Sequence, residues 1–233
     1  MPGSVRPVIV AAAVCPHPPL LVPEVAPGTT DELAGLRAAC HAAVGMLTAA
    51  EPERIVVVGA GGLGHDLDET AGGTLAGYGV DLRVGGDDVR LPLSLTIGAW
   101  LLDQAGWTGP RTYSTGRPAI DGSSRVAVLA MADGSNGRSE KAPGFLDERA
   151  EPFDASIASA LADGDPAALV ALDLELGAAL GSTGVPALHT LGGMVLDTTM
   201  LDVTKGAAVT ARLRYDEAPL GVGYVVADWT LTA

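Results

Sequence analysis

The sequence predicts an α/β fold in which one central sheet, mostly parallel or mixed, is flanked by helices. Short continuous apolar runs at 55–58 and 126–130 are typical of strands covered on both faces. Helical stretches rich in Ala and Leu alternate with these runs, as in an α/β sheet. The chain has 233 residues and no long linker, which favours a single domain over residues 1–233.

The elements are predicted in chain order from these patterns. Strands are expected at 7–14, 55–58, 81–84, 125–131, 207–215 and 221–229. Helices are expected at 29–50, 93–105, 153–162, 166–180 and 188–196. The first helix is predicted to begin with a Thr or Asp cap and acids in its first turn, and the fourth with Asp165 as cap and Pro166 at its first position. The glycine-rich stretch 61–88 is expected to be loop and sheet edge, and the last two strands an antiparallel pair.

Composition excludes several classes of partner. The chain has 14 Lys and Arg against 28 Asp and Glu, a net charge of −14, which repels nucleic acid and anionic membranes. No apolar run approaches the ~20 residues that a membrane span needs. The run 8–15 looks superficially like a short leader, but we interpret it as a buried strand. Only Cys15 and Cys40 are present, which is too few for a disulfide framework and favours a cytoplasmic protein.

The most informative residue is His17, which lies between Pro16 and Pro18 at the end of the first predicted strand. The prolines hold it extended, and strand ends are where α/β sheets bind ligands. His65 also follows a predicted strand, so both imidazoles reach one edge if the two strands are neighbours. Two histidines and a carboxylate are a ligand set for non-haem Fe(II). The alternative is that each histidine is a hydrogen-bonded loop residue, while His41, inside the first helix, is expected to be structural or exposed.

The segment 59–64 matches the dinucleotide pattern G-x-G-x-x-G after a strand. A dinucleotide site requires a helix that begins at the last glycine, here Gly64. The following residues are glycine-rich and have no helical period. A flexible loop is therefore the favoured interpretation, and a nucleotide-dependent oxidoreductase is the weakest of the possible functions.

Four segments together resemble a known superfamily: the residues around His17, and the stretches 131–138, 142–154 and 219–224. They are similar to the catalytic subunit of class III extradiol ring-cleavage dioxygenases, a superfamily that includes the Memo-like proteins. The similarity runs from about residue 8 to residue 229. The resemblance implies an α/β domain like that of the extradiol dioxygenase catalytic subunit. It also implies one Fe(II), held by two histidines and a glutamate, that binds catechol and activates O2, with a further histidine as acid/base.

The resemblance assigns roles to individual residues. His17 matches the first metal ligand and His65 loosely the second. Where similar proteins have Asp-Leu-Ser-His, this chain has Asp133, Gly134, Ser135 and Asn136. Asp133, Ser135 and Asn136 are thus the catalytic candidates, although the Asn136 amide can orient a substrate and cannot exchange a proton near neutral pH.

The family's glutamate ligand has no counterpart in 186–193. His189 is the candidate to replace it, which would favour zinc or change the reactivity of iron. Glu175 and Asp197 are alternative carboxylate ligands, although neither matches the position of the family's glutamate.

Two functions therefore remain open. One is an extradiol-type dioxygenase, or a derivative of it, acting on a catechol-like or small phenolic compound with Fe(II) or Zn. The other is a Memo-like binding or regulatory protein that keeps the fold without the chemistry. Two interpretations are open for the cations Arg138, Lys141 and Arg149. They hold an anionic substrate, or they pair with neighbouring acids on a solvated loop, which is the favoured interpretation. An apolar edge on the closing strands would permit a homodimer.

Overall fold

The structure of the protein is a computed structural model that describes residues 8–29, 31–120, 124–200 and 208–232. The described chain is α/β, and strands from both of its ends join one mixed sheet of seven strands, so these residues form a single compact unit. Three predicted element positions, Pro7, Thr30 and Ala207, lie outside the described residues.

The elements follow in chain order. The strands are β1 (Val8–Cys15), β2 (Arg54–Val58), β3 (Leu67–Asp68), β4 (Ala71–Thr74), β5 (Arg83–Gly85), β6 (Asp88–Val89), β7 (Arg111–Ser114), β8 (Arg125–Met131), β9 (Ala208–Glu217) and β10 (Tyr224–Thr232). The helices are α1 (Ala34–Ala49), α2 (Leu93–Gln104), α3 (Ala150–Asp163), α4 (Pro166–Val170), α5 (Leu174–Ala179) and α6 (Val185–Met200).

The seven strands lie in the order β3, β7, β2, β8, β1, β10, β9. The four central strands β7, β2, β8 and β1 run parallel, whereas β3, β10 and β9 are each antiparallel to an inner neighbour. Cys15 lies opposite Met131, and Val58 lies opposite both Ala130 and Ser114. The four parallel strands therefore end together at one carboxyl edge of the sheet.

Helices cover both faces of this sheet. One face packs on α1 and α2 through side chains such as Ala13 and Leu129, and the other packs on α3 and α6 through side chains such as Ala12 and Val128. Since successive residues of a strand point to opposite faces, strands buried on both faces appear in the sequence as unbroken apolar runs. The second, smaller sheet (β5, β4, β6) lies beside α2.

The structure differs from the predicted elements in four places. The predicted Thr or Asp cap of the first helix is wrong, because α1 begins at Ala34 after Leu33, which makes no side-chain capping bond, and its first turn contains no acid. The four-residue strand β7 was not predicted, and neither was most of the small sheet within the glycine-rich stretch. The predicted helix 166–180 is two helices, because the Asp173 side chain accepts hydrogen bonds from the backbone N–H groups of Glu175 and Leu176 and begins α5. No helix among the described residues is both long and apolar enough to cross a membrane.

Candidate functional site

His17 lies at the carboxyl edge of the sheet, two residues beyond the end of β1. The Ala132 N–H donates to the Cys15 carbonyl oxygen at 2.9 Å, which extends the β1–β8 pairing by one step. The next bond is made by a side chain, since the His17 N–H donates to Asp133 Oδ1 at 2.7 Å. Proline has no N–H, so between Pro16 and Pro19 His17 supplies the one backbone donor. The carboxylate therefore fixes the proline-bracketed segment to the end of β8.

The His17 imidazole also faces this carboxylate. Its Nδ1 lies 3.5 Å from Asp133 Oδ1, is buried, and forms no hydrogen bond within the described chain. His17 is 7% exposed. Burial raises the pKa of the Asp133 carboxyl group, and His17 opposes this shift in part. From sequence alone His17 and Asp133 had separate roles, and the structure brings them together because β1 and β8 are adjacent strands.

Buried polar groups lie beside the carboxylate. Burial, and then the neighbouring Cys15 thiol, raise the pKa of Cys40, and the charge of Asp133 adds to the shift. Burial and then Asp133 likewise raise the pKa of Tyr224. Sequence reasoning did not assign Tyr224, although it belongs to the stretch 219–224 that carries part of the resemblance. Both cysteines are free and buried, so they belong to the core beneath the site.

His65 lies in a different part of the carboxyl edge. The Leu63 N–H donates to Thr115 Oγ1, and the Ala119 N–H donates to Asp66 Oδ2, so this loop is fixed to the segment after β7. His65 is exposed there and lines a cavity of about 420 Å³ together with Ser114 and Arg117. The strands β1 and β2 are not neighbours, because β8 lies between them. At about 4.8 Å a step, β1 and β7 are separated by roughly 14 Å.

His189 is held by the helical layer. Its Nε2 lies 2.8 Å from the Leu172 carbonyl oxygen, and since a carbonyl only accepts, the ring N–H donates there. In this tautomer Nδ1 is the nitrogen with a free lone pair. In the described parts of the chain, no three His, Cys, Asp or Glu side chains form a group that could hold a metal ion. His17, His65 and His189 are therefore not brought together.

Ser135 and Asp154 hold the loop that follows Asp133. Asp154 is 1% exposed, and it accepts hydrogen bonds from the Ser135 N–H at 2.7 Å, the Ser135 hydroxyl at 2.8 Å and the Arg138 guanidinium at 3.1 Å. A Cβ at Gly134 or Gly223 would lie within 3 Å of this carboxylate. Ser135 thus donates its hydroxyl to a structural carboxylate. Asp154 was not predicted, although it lies within the stretch 142–154.

Asn136 is fixed mainly through its backbone. Its N–H donates to the Leu180 carbonyl, and its own carbonyl accepts from the Gly144 N–H. Its side chain lies between Gly144 and Gly181, where any Cβ would come within about 2.2 Å of the amide group. Asn136 is half-buried, so its amide stays a candidate for orienting a ligand.

The cations and the remaining acids that the sequence singles out mostly pair with one another. Arg138 contacts Glu151 at 3.5 Å as well as Asp154, and Arg149 contacts Asp147 at 2.7 Å. The pairing interpretation is confirmed for Arg149, whereas Arg138 is half-buried and its shorter ion pair is with the buried Asp154, which was not an expected partner. Lys141 is exposed. Of the two alternative carboxylate ligands, Asp197 pairs with Arg117, and Glu175 is exposed on α5.

The glycines of the dinucleotide-like pattern serve close packing. A Cβ at Gly59 would lie 2.5 Å from Ser94 Oγ, and one at Gly61, where φ is +146°, would lie 2.6 Å from Pro92. Both contacts are with the beginning of α2. No helix begins at Gly64, so the loop interpretation is confirmed and the helix that a nucleotide site requires is missing from this described stretch.

Comparison with known proteins adds no assignment to this geometry. The chain matches no protein-family model, and a search of curated proteins finds no significant relative.

Proposed function

We propose that this protein binds a small, weakly acidic compound of the phenol class at the carboxyl edge of its sheet, and that it exchanges a proton with the compound through His17. The observation that carries this proposal is the buried Nδ1 of His17, 3.5 Å from Asp133 Oδ1 and without a hydrogen bond within the described chain. The resemblance to extradiol dioxygenases supports the choice of a phenolic ligand.

The chemistry follows from the two side chains. An ionised carboxylate only accepts hydrogen bonds, so Asp133 favours the imidazole tautomer with its hydrogen on Nδ1. Nε2 is then the acceptor, and a ligand hydroxyl that reaches it can donate or share its proton. Hydrogen bonds of this kind are often long without ligand and shorten when the ligand binds. Asp133 thus orients the ring, and His17 is the base.

The three histidines that the sequence suggests as metal ligands do not form one group in the described chain. His189 is held in the helical layer by the Leu172 carbonyl, and His65 follows β2, which β8 separates from β1. Ring cleavage is nevertheless the second candidate function, because an imidazole and a carboxylate are ligands that non-haem Fe(II) takes, and His17 Nδ1 lies 3.5 Å from Asp133 Oδ1.

Titration with catechol tests the proposal. We expect His17→Gln to weaken catechol binding at least about tenfold, since it removes a ligand hydrogen bond in a buried site. Because the proton that catechol gives to His17 stays within the complex, ultraviolet difference spectra should show ionised catechol bound to the unsubstituted protein and un-ionised catechol bound to His17→Gln. The control is His41→Gln, an exposed position on α1. Absence of catechol binding, or equal binding by His17→Gln, overturns the proposal.

A second measurement separates the two candidates. The protein is loaded anaerobically with Fe(II), analysed for bound metal, and then given catechol and O2. Catechol binding without O2 consumption supports a binding protein of the Memo-like kind with a proton-exchanging site. Catalytic O2 consumption that is lost in His17→Ala, together with one bound iron per chain, replaces that proposal with ring cleavage.

A further inference from the structure

The strand β9 forms one edge of the seven-stranded sheet, and no other strand of the described chain pairs with its outer side. It is ten residues long, and alternate residues of such an edge direct N–H and C=O groups outward. An apolar edge was expected from the sequence. The edge position is correct, but the strand carries four charged residues, Arg212, Arg214, Asp216 and Glu217.

The charges on β9 are arranged asymmetrically, with both arginines before both acids. Arg214 pairs with Asp228 at 2.6 Å on the neighbouring strand. Arg212 is exposed and has no ion-pair partner within the described chain. Glu217 lies five residues farther along the strand, about 16 Å away, which is too far for an ion pair within one chain.

A bulge in β9 decides which side chains share a face. The register with β10 shifts between the Ala227–Leu213 and Val226–Tyr215 pairs, so the alternation of faces changes at Arg214. Arg212 lies opposite Asp228, and Glu217 lies opposite Tyr224, which belongs to the core on the α1 face. The neighbours of Asp228, Ala227 and Trp229, belong to the other core, so Asp228 points to the α1 face too. Arg212 and Glu217 therefore lie on the same face of the sheet.

We propose that β9 pairs antiparallel with the β9 of a second copy of this chain, with Arg212 of each copy opposite Glu217 of the other. The two-fold axis then passes between Arg214 and Tyr215, and residues 212–217 of both copies form the shared pair of strands. Directly opposite residues of an antiparallel pair share a face, and Arg212 and Glu217 meet that condition because of the bulge. Each dimer contains this ion pair twice.

Other registers are less favourable by the same criteria. Placing the axis at Arg212 puts two arginines opposite each other, which is destabilising. Placing Arg212 opposite Asp216 puts residues of different faces together, since Asp216 lies opposite Val225 of the other core. Six paired residues form a small interface, so the dimer is expected to be weak and dependent on concentration.

Charge reversal with rescue tests this dimer. Arg212→Glu and Glu217→Arg each replace two attractive pairs by two repulsive ones, and we expect each variant to dimerise at least about tenfold more weakly. The double variant Arg212→Glu/Glu217→Arg restores opposite charges across the axis and should recover the affinity. Sedimentation equilibrium over a range of protein concentrations at low salt measures all four proteins.

The controls make the result specific. Arg149→Glu changes an exposed arginine of equal charge outside β9 and should leave dimerisation unchanged. Circular dichroism melting checks that each variant is folded. A monomeric unsubstituted protein at every concentration, single variants that dimerise like the unsubstituted protein, or a folded double variant that stays monomeric would each overturn the proposal.

Discussion

The two flanking prolines and a hydrogen bond to Asp133 determine the position of His17. The prolines on both sides remove the neighbouring N–H groups and disfavour helix, and Pro18 has φ −66° and ψ 140°, which is extended. The remaining N–H is bound by Asp133. A carboxylate that accepts this bond and also faces the imidazole connects backbone position to side-chain orientation. For this reason Asp133 is the residue whose replacement is most informative.

We predict that Asp133→Asn changes how stability depends on pH. Burial raises the pKa of Asp133 above its usual 3.8, so the folded state binds this proton more tightly than the unfolded state. The stability that this group contributes is fully present below about 3.8 and is lost as pH rises through the raised pKa. Asn keeps an oxygen for the His17 N–H and does not ionise. The unfolding free energy of the unsubstituted protein, measured with urea, should therefore fall relative to Asp133→Asn as pH increases above 4.

Asp147→Asn is the matched control for this prediction. Asp147 is half-buried at the surface, and the hydrogen bonds from Arg149 lower its pKa to about 2. Its contribution has the opposite sign, because it is lost as pH falls from 3.8 toward 2, and solvent screening makes it small. A stability difference between the unsubstituted protein and Asp133→Asn that grows with pH in favour of the unsubstituted protein would contradict the raised pKa.

At the level of elements, the approach of α2 to the sheet depends on a missing side chain. A Cβ at Gly98 would lie 2.6 Å from Val57 Cγ1 and 3.2 Å from Met131. Val is stiff at χ1, so it cannot move aside easily. On α1, by contrast, Gly45 is exposed and has nothing within 4 Å of its Cβ position. The same substitution at these two glycines should therefore have opposite effects.

We predict that Gly98→Ala destabilises the protein and that Gly45→Ala stabilises it. Alanine gains about 1 kcal/mol of helix propensity at either position. At Gly98 the overpacking penalty of about 1–3 kcal/mol opposes that gain, and the two contacts place it at the upper end. Thermal melts and urea titrations of both variants measure the difference. Equal stabilisation by both substitutions would show that α2 can move away from the sheet at no cost.

Elements with strong apolar periodicity could be predicted from sequence, and those defined by tertiary contacts could not. The run 125–131 was predicted with the bounds that β8 has. The strand β7 was missed because its residues are Arg111, Thr112, Tyr113 and Ser114, whose burial depends on distant partners. Arg111 pairs with Asp103 at 2.7 Å, and Arg54 donates to Thr112. No local pattern shows these contacts.

Residues of the candidate site could be predicted from the sequence, but their arrangement in space could not. His17 and Asp133 were both named, and each follows a strand that was predicted. Strand order decides which strand ends meet, and the sequence did not show that β8 lies between β1 and β2. Because β8 lies between β1 and β2, His65 is separated from His17, and Asp133 lies beside His17. Sequence periodicity describes the faces of a strand and contains no information about its neighbours.

For the whole molecule, net charge is a source of instability that salt can remove. The chain carries a net charge of −14, and the folded state holds these charges closer together than the unfolded chain does. The Debye length falls from about 10 Å at 0.1 M to about 3 Å at 1 M salt, so added salt screens most of the repulsion. We predict that the melting temperature at pH 7 rises as NaCl is increased over this range.

Repeating the melt near pH 4.5 separates this effect from general salt effects on solvation. The sequence pI is about 4.5, so net repulsion is absent there and the rise with NaCl should disappear. Chloride is the suitable anion, because sulfate strengthens apolar burial by exclusion from the surface at any pH. An equal rise at both pH values would mean that salt acts on burial and not on charge. A fall with salt at pH 7 would mean that local ion pairs such as that of Arg214 and Asp228 contribute more to stability than the net charge costs.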